Sequence, residues 1–438
     1  MNNSYLQVQK SLPLTGTLEV SGAKNAILVI MLSTLLTRGV SYFYNVPGLL
    51  DVFAIIELLQ SVGARVVYDD EQHMLMIDTT DVDAWHISAH LMQKTRASIL
   101  VLAPLLVRFS NAVVGLPGGD MIGKRPIDFH LKNLEKLGAR ITIEDNMVIA
   151  QKSQFVGTKL VLEYPSIGAT ENILMAAVSA VGRTTLINAA IEPEVLDLIE
   201  VLRKMGARIA IQAPATLIID GVTEFKPVVH HVIPDRLEAG AVLIAGAMTA
   251  GDVYIPNIPA FMLDVVLLKL SEMGHTVSIG ADGMGIRIQG NPYPLATSFK
   301  TGPFPSFATD LQAPMMASLT KAAGKSVIDE TVFENRFHHI IPLIQMGANI
   351  SVVHANRVII TGVDELQGHD VWPTDIRASC ALVLAGLIAN GITRVFEVHH
   401  WQRGFDLLEN RLRSLGANIS MQQELVKTEH AVAVAQLT

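Results

Sequence analysis

A glycine closes a helical run at six places in the chain, Gly63, Gly138, Gly206, Gly274, Gly347 and Gly416, and an alternating strand-like segment follows each at once. The intervals are 75, 68, 68, 73 and 69 residues. Glycine in this place reads as a helix C-cap, because it enters the left-handed backbone region without a steric penalty. The segments after it run from Ala64-Arg65-Val66-Val67 through Ala139-Arg140-Ile141-Thr142 to Ala417-Asn418-Ile419-Ser420. Upstream of each helix lies a short strand that ends in a turn: Ser41 to Pro47, Ala112 to Pro117, Thr184 to Ala190, Val253 to Pro259, Ser326 to Thr331 and Thr393 to His399. Before each of these comes an apolar helix. A unit of roughly 70 residues is too long for a simple solenoid and reads as a supersecondary unit repeated within domains. With 438 residues the chain suggests about two to three domains, and three units per domain is the natural division.

The first helix of each unit starts with polar or charged residues: Lys24-Asn25, Arg96, Thr170-Glu171, Asp235-Arg236, Thr309-Asp310 and Asp375-Ile376-Arg377. Helix N-termini attract anions through unpaired N–H groups and the positive end of the dipole. Arginine there is locally unfavourable, so Arg96, Arg236 and Arg377 call for a reason, which an anion bound where the six ends converge would supply. Ordinary capping is the competing explanation. Both Thr309-Asp310-Leu311-Gln312 and Asp235-Arg236-Leu237-Glu238 fit a capping box, and Asp235 reads as the cap, whereas Asp310 suits either role.

Half of the residues are hydrophobic and only 17% are charged, which raises the question of membrane insertion. The most apolar runs, Ala26 to Leu36 and Ala97 to Val107, are about half the ~20 residues needed to cross a bilayer, and Lys24, Arg38, Arg96 and Arg108 bracket them. They read as buried helices. No cationic segment followed by an apolar core opens the sequence, so the expectation is a cytoplasmic protein with no membrane partner. The single cysteine, Cys380, excludes a disulfide framework and lies in an apolar run, where an inert core thiol is expected. A net charge of −8 argues against nucleic acid. Any site for an acidic substrate has to be built locally.

The segment Gly115 to Pro126 carries such a site's materials: four glycines, the acid Asp120 and the bases Lys124 and Arg125. Glycine lets main-chain N–H groups approach an anion closely, and prolines at 117 and 126 restrict either end. Gly118 to Lys124 matches G-x-x-x-x-G-K, but Arg125 stands where a magnesium-binding Ser or Thr belongs, so a nucleotide-hydrolase P-loop is rejected. A plain surface turn explains the glycines but not the charges.

Ser21-Gly22-Ala23-Lys24-Asn25-Ala26, the loop Leu116 to Pro126, Gly168 to Asn172, Pro234-Asp235-Arg236, Thr309 to Gln312, Phe333 to Phe337, Thr374 to Ser379 and Arg403-Gly404 together resemble the UDP-N-acetylglucosamine 1-carboxyvinyltransferase family, over nearly the whole chain up to about Ser420. The resemblance implies a two-domain inside-out α/β barrel, similar to 5-enolpyruvylshikimate 3-phosphate synthase, with the active site in the inter-domain cleft. The expected domains are 24–234, with a mobile loop at 115–126, and 1–23 plus 235–438. The implied reaction moves the enolpyruvyl group of phosphoenolpyruvate to the 3-hydroxyl of UDP-N-acetylglucosamine, releasing phosphate on the way to peptidoglycan, with no cofactor and no metal. By resemblance Lys24, Arg125 and Arg403 meet the phosphate, with Arg336, Arg377 and again Arg403 near the carboxylate. Asp120 is the expected acid, Asp310 the base, and Asn25 orients the intermediate. The nucleotide is expected at Arg125, Pro126, Ile127, Asp128, Phe129 and His130, at Ser166 and Gly168, and at Val332 and Phe333. Arg96 and Asp375 support, Asp375 as an orienter of arginines.

Asp120 departs from the family's usual cysteine, the residue that by resemblance the epoxide fosfomycin alkylates. An ordinary aspartate is ionised in neutral solution, and Lys124 and Arg125 favour that state; a bound dianion would oppose it, so that the substrate helps to arm its own acid. Tyr164, Ile191, Ala308 and Gln402 replace a more usual lysine, arginine, proline and acid. Two other readings stand beside the main one: an enolpyruvyl transferase with another acceptor, and a catalytically silent homologue. The pairs His230-His231, His338-His339 and His399-His400 have no metal-ligand spacing.

Overall fold

The computed structural model describes residues 4–120, 122–123 and 126–423. Lys124 and Arg125 of the loop, and the tail Glu424 to Thr438, read from sequence as a peripheral extension, lie outside them. Six four-stranded sheets contain all the paired strands of these residues. Each of the six glycines has positive φ, between 87° and 116°, and the strand after it is an edge strand of its sheet, in the first five units as the outer member of a hairpin. In the second unit, for example, the order is His86–Ile87, Asn111–Gly115, Met147–Lys152, Ala139–Glu144. The hairpin turn there is Asp145-Asn146, both with positive φ, the geometry whose twist suits a two-residue connection.

The helices face inward. In Lys24–Ser33 every residue but Asn25 is buried, and Arg236–Met248 and Ile376–Gly386 are buried almost throughout. A helix apolar on all sides belongs in a core, which accounts for the high hydrophobic content without a membrane; no helix among the described residues is long and apolar enough to cross one. Two cores result. One draws on residues from Ala23 to Val232, and the other on Leu6 to Val20 together with Leu237 to Ile419.

The chain starts in the second core and closes it. Ser4–Gln9 fills the last sheet between Ile392–Val395 and Asn418–Gln423, Thr15–Thr17 pairs in parallel with Asp252–Pro259, and Val229–His231 returns to pair with Val40–Tyr44 in the first sheet. The two crossings between cores run side by side: Ala23 N donates to Ile233 O at 2.7 Å and Asp235 N to Ser21 O at 2.8 Å. A Cβ on Gly22 would stand 1.7 Å from Asn45 O, so only glycine fits this crossing.

The helix starts differ in detail from expectation. The second and fifth units begin with 3-10 turns, Arg96–Val101 and Thr309–Leu311, and the third starts at Ile167, capped by Ser166. The Thr309 capping box does not form. Ala308 is the cap, Thr309 Oγ1 donates to Glu330 Oε2 at 2.9 Å, and both amide atoms of buried Gln312 have no partner. Asp235 does cap, accepting from Leu237 N at 2.7 Å and Glu238 N at 3.2 Å, while Glu238 turns away to Ser21 N and Arg411.

Cys380 lies within Ile376–Gly386 and is 1% exposed. Burial pushes its thiol up to about 12, so little thiolate is available to any reagent. Cys380→Ser should therefore leave turnover unchanged and cost about 1–3 kcal/mol from a buried hydroxyl. Rapid inactivation by a thiol reagent, prevented by a ligand, would contradict this placement.

Candidate active site

Two ion-pair clusters occupy the cleft between the cores. In the first, the carboxylate of Asp310 is shared by two arginines: Arg336 Nη2 donates to Oδ1 at 2.5 Å and Arg377 Nη2 to Oδ2 at 2.7 Å. Both guanidinium groups are over nine-tenths buried, while Asp310 keeps 24% of its side chain exposed. Burial alone would raise the Asp310 carboxyl, but Arg377 and Arg336 outweigh it and hold it well below the usual carboxylate range. Asp375 caps the helix that carries Arg377, accepting from Arg377 N at 2.9 Å and Ala378 N at 3.1 Å. It thus orders this arginine through the backbone.

In the second cluster Asp51 bridges the two halves of the molecule. It accepts from Lys24 Nζ at 3.3 Å through Oδ2 and from Arg403 Nε at 2.8 Å through Oδ1. The free edge of Arg403 donates from Nη1 to Asp120 Oδ1 at 2.5 Å. Burial works against the charge of Arg403, but Asp51 and Asp120 more than restore it. Asn25 sits one residue beyond Lys24 as the exposed residue of its helix. His400, a turn before Arg403, is held below the ordinary imidazole range by burial and by His399, with Asp120 opposing.

The glycine loop reaches across the cleft. Besides the Asp120–Arg403 pair, Asn335 N donates to Ile122 O at 3.1 Å, and a Cβ on Gly123 (φ 144°) would meet Glu334 Oε2 at 2.2 Å. At its base Gly118 N donates to Met92 O at 3.2 Å, and a Cβ on Gly118 would stand 1.9 Å from Gln93 O. At Gly118 the glycine is needed because backbone packs on backbone, and at Gly123 because of its positive φ and the Glu334 carboxylate beside it. Gly118→Ala should displace the loop and slow turnover on the order of a hundredfold, as misplacement of a catalytic group by about 1 Å does, with thermal unfolding little changed. Normal turnover in this variant would show that the docked loop is not the working one.

Of the residues expected on the nucleotide side, those from Pro126 to His130, Ser166 and Gly168 lie in the part of the chain that builds the first core, and Arg125 lies outside the described residues. Ser166 Oγ accepts from Ala169 N at 3.4 Å and caps Ile167–Ala177. A Cβ on Gly168 would lie 2.9 Å from His130 Cε1, so this glycine admits the imidazole. His130 is buried, and its Nδ1 accepts from Asn172 Nδ2 at 2.9 Å; burial, then the Arg96 charge, take it down to about 3. Pro126 is exposed, Ile127 precedes the helix Asp128–Leu137, and Phe129 packs on the first core. Asp128 pairs with Lys132 at 3.2 Å and keeps Oδ1 without a partner. Across the cleft, Val332 N and Phe333 N both donate to Glu330 Oε1, at 2.8 and 3.2 Å, and Arg336 lies 5.3 Å from the Phe333 ring. Tyr164 stands near Glu192 and Glu330; burial and then these charges raise its phenol.

One expectation is overturned in its cause. Arg236 does not await a ligand: it makes a buried fork to Glu194, at 3.0 and 3.3 Å. Sequence reasoning missed Asp51, Glu194 and Glu330. Asp51 resembles an ordinary first-turn acid of Leu50–Ser61, and only its isolation among apolar neighbours marked it. Among the described residues no group of three His, Cys, Asp or Glu side chains is placed to hold a metal ion.

The profile of the EPSP synthase (3-phosphoshikimate 1-carboxyvinyltransferase) family matches residues 8–432. The UDP-N-acetylglucosamine 1-carboxyvinyltransferase 1 of Caldanaerobacter subterraneus is 47% identical over 94% of this chain and 98% of its own, and the Geobacter metallireducens UDP-N-acetylglucosamine 1-carboxyvinyltransferase is 43% identical over 94% and 97%. Among solved structures, the enolpyruvyl transferase NikO of Streptomyces tendae superposes with a TM-score of 0.87 at 23% identity, covering 97% of this chain and all of its own. An EPSP synthase of Acinetobacter baumannii does so with a TM-score of 0.72 at 16% identity, over 96% and 100%. The six inward-helix units, the paired crossings and the arginine-lined cleft are thus the frame of an enolpyruvyl transferase, and the chain belongs to the UDP-N-acetylglucosamine 1-carboxyvinyltransferases of the EPSP synthase family.

Proposed function

We propose that this protein transfers the enolpyruvyl group of phosphoenolpyruvate to the 3-hydroxyl of UDP-N-acetylglucosamine, releasing phosphate. The observation that carries the reading is the placing of two cation pairs, Lys24 with Arg403 and Arg336 with Arg377, beside one acid on a glycine loop and one carboxylate on a helix start. Phosphoenolpyruvate has a phosphate for the first pair and a planar carboxylate for the second, and guanidinium forks suit both. Asp120 gives a proton to the methylene carbon, the sugar hydroxyl attacks the neighbouring carbon, and Asp310 takes the hydroxyl proton. Loss of a proton from the new methyl group and of phosphate from the adjacent carbon then restores the double bond. Asn25 steadies the tetrahedral intermediate. Arg125, with the segment from Pro126 to His130, takes the nucleotide together with Arg96, Ser166, Gly168, Val332 and Phe333.

The domains are taken as 24–234 and 1–23 plus 235–438, with the reaction in the cytoplasm, where the product enters peptidoglycan synthesis. No metal and no cofactor enters the scheme. Phosphate release tests it: release should need both substrates together, and release from phosphoenolpyruvate alone, or none with both, would remove the reading.

A further inference from the structure

The side chains assigned to the substrate's two anions are already paired, and the pairing is uneven. Asp51 is 5% exposed and holds both Lys24 and the inner edge of Arg403; it is a fixed counter-ion. Asp120 takes only the outer edge of Arg403, from a loop. Asp310 divides its two oxygens between two arginines, so that it meets each through a single Nη2, and Arg336 Nε is left buried with no partner. A guanidinium presents Nε–H and Nη–H as a fork for one planar anion, and a half-filled fork in a dry site is a poor final state. A carboxylate arriving from a ligand can fill the fork of Arg336 that Asp310 leaves half empty.

We infer that Asp120 and Asp310 are placeholders, each occupying the arginines of one substrate anion until that anion displaces it: phosphate releases Asp120 from Arg403, and carboxylate releases Asp310 from Arg336 and Arg377. This rests on the proposed reaction and deepens it, because one ligand then frees both the acid and the base for chemistry. Until the exchange, the acid is tied to Arg403 beside His400, and the base to Arg336 and Arg377 with Lys24 nearby. Asp310 held between two cations is a weak base, and it becomes an effective one when the ligand carboxylate takes its place.

The test is crosswise binding, by calorimetry or protein-observed NMR, with inorganic phosphate, pyruvate and phosphoenolpyruvate as probes. Asp120→Asn should bind phosphate about tenfold more tightly than the unsubstituted protein, with pyruvate unchanged, and Asp310→Asn should tighten pyruvate similarly and leave phosphate unchanged, since each removes one competitor for a charge-assisted contact. Asp310→Ser serves as a second neutral replacement, and melting curves confirm that each variant is folded. In an Arg403→Gln background the gain from Asp120→Asn should vanish, because the competition is for that guanidinium. Unchanged or weaker phosphate binding by Asp120→Asn overturns the inference, as does a gain that persists without Arg403, which would be a simple field effect. If the unsubstituted protein binds phosphoenolpyruvate and the variants show no crosswise gain, only the exchange fails; if no probe binds any of these proteins, the proposed reaction fails with it.

Discussion

Asp120→Asn should lower turnover about a thousandfold while leaving UDP-N-acetylglucosamine bound as before, since removing a positioned general acid costs roughly 10²–10⁴ in rate. Asparagine keeps the size of the side chain and can still accept from Arg403 Nη1, now at 2.5 Å from the carboxylate, but it carries no acidic proton. The same residue governs the response to fosfomycin. A carboxylate is a much poorer nucleophile toward an epoxide than a thiolate, so prior incubation should not inactivate the unsubstituted protein durably, whereas Asp120→Cys should become sensitive and keep part of its activity. Turnover of the three proteins, with and without incubation, decides the matter. Irreversible loss in the unsubstituted protein, or normal turnover in Asp120→Asn, would leave the loop as a lid without chemistry.

Arg403→Ala should be the second large loss. This guanidinium joins Asp51 of the first core to Asp120 of the loop, and in the proposed reaction it also meets the phosphate of the substrate. Its removal takes away a charge-assisted contact worth ~1.5–3 kcal/mol and also the means by which the loop is held, so kcat/KM should fall about a hundredfold or more. Stability should fall as well, by about 1–3 kcal/mol, less than for a fully stranded charge because Lys24 still stands 3.3 Å from Asp51. Arg403→Lys keeps the charge but cannot reach both carboxylates through a planar fork, and should lie between. Steady-state kinetics beside thermal unfolding separates the effects. Intact kinetics in Arg403→Ala would take this residue out of the site.

Much of the architecture was legible because it is dictated locally. The six helix-ending glycines and the strands after them appear where the backbone needs a left-handed residue, and the six apolar helices fall inside because they have no polar face to offer water. What depends on distant partners was not legible. Nothing in Ser4–Gln9 says that it completes the sheet of Asn418–Gln423, and nothing in Arg236 says that its counter-ion is Glu194 rather than a ligand. The Thr309 capping box failed for the same reason, since Glu330 competes for the hydroxyl. Within the site, Lys24, Asp310, Arg336, Arg377 and Arg403 stood out as charges with no local excuse or as parts of a family motif. Asp51 did not, because an acid in the first turn of a helix is unremarkable until both its cations arrive from elsewhere.

The most direct measurement is product analysis by mass spectrometry after incubating the purified protein with phosphoenolpyruvate and either UDP-N-acetylglucosamine or shikimate 3-phosphate. The 3-enolpyruvyl ether of UDP-N-acetylglucosamine, formed together with phosphate, and no adduct of shikimate 3-phosphate, is the predicted result. An enolpyruvyl product on shikimate 3-phosphate alone, or no product on either acceptor, would contradict it.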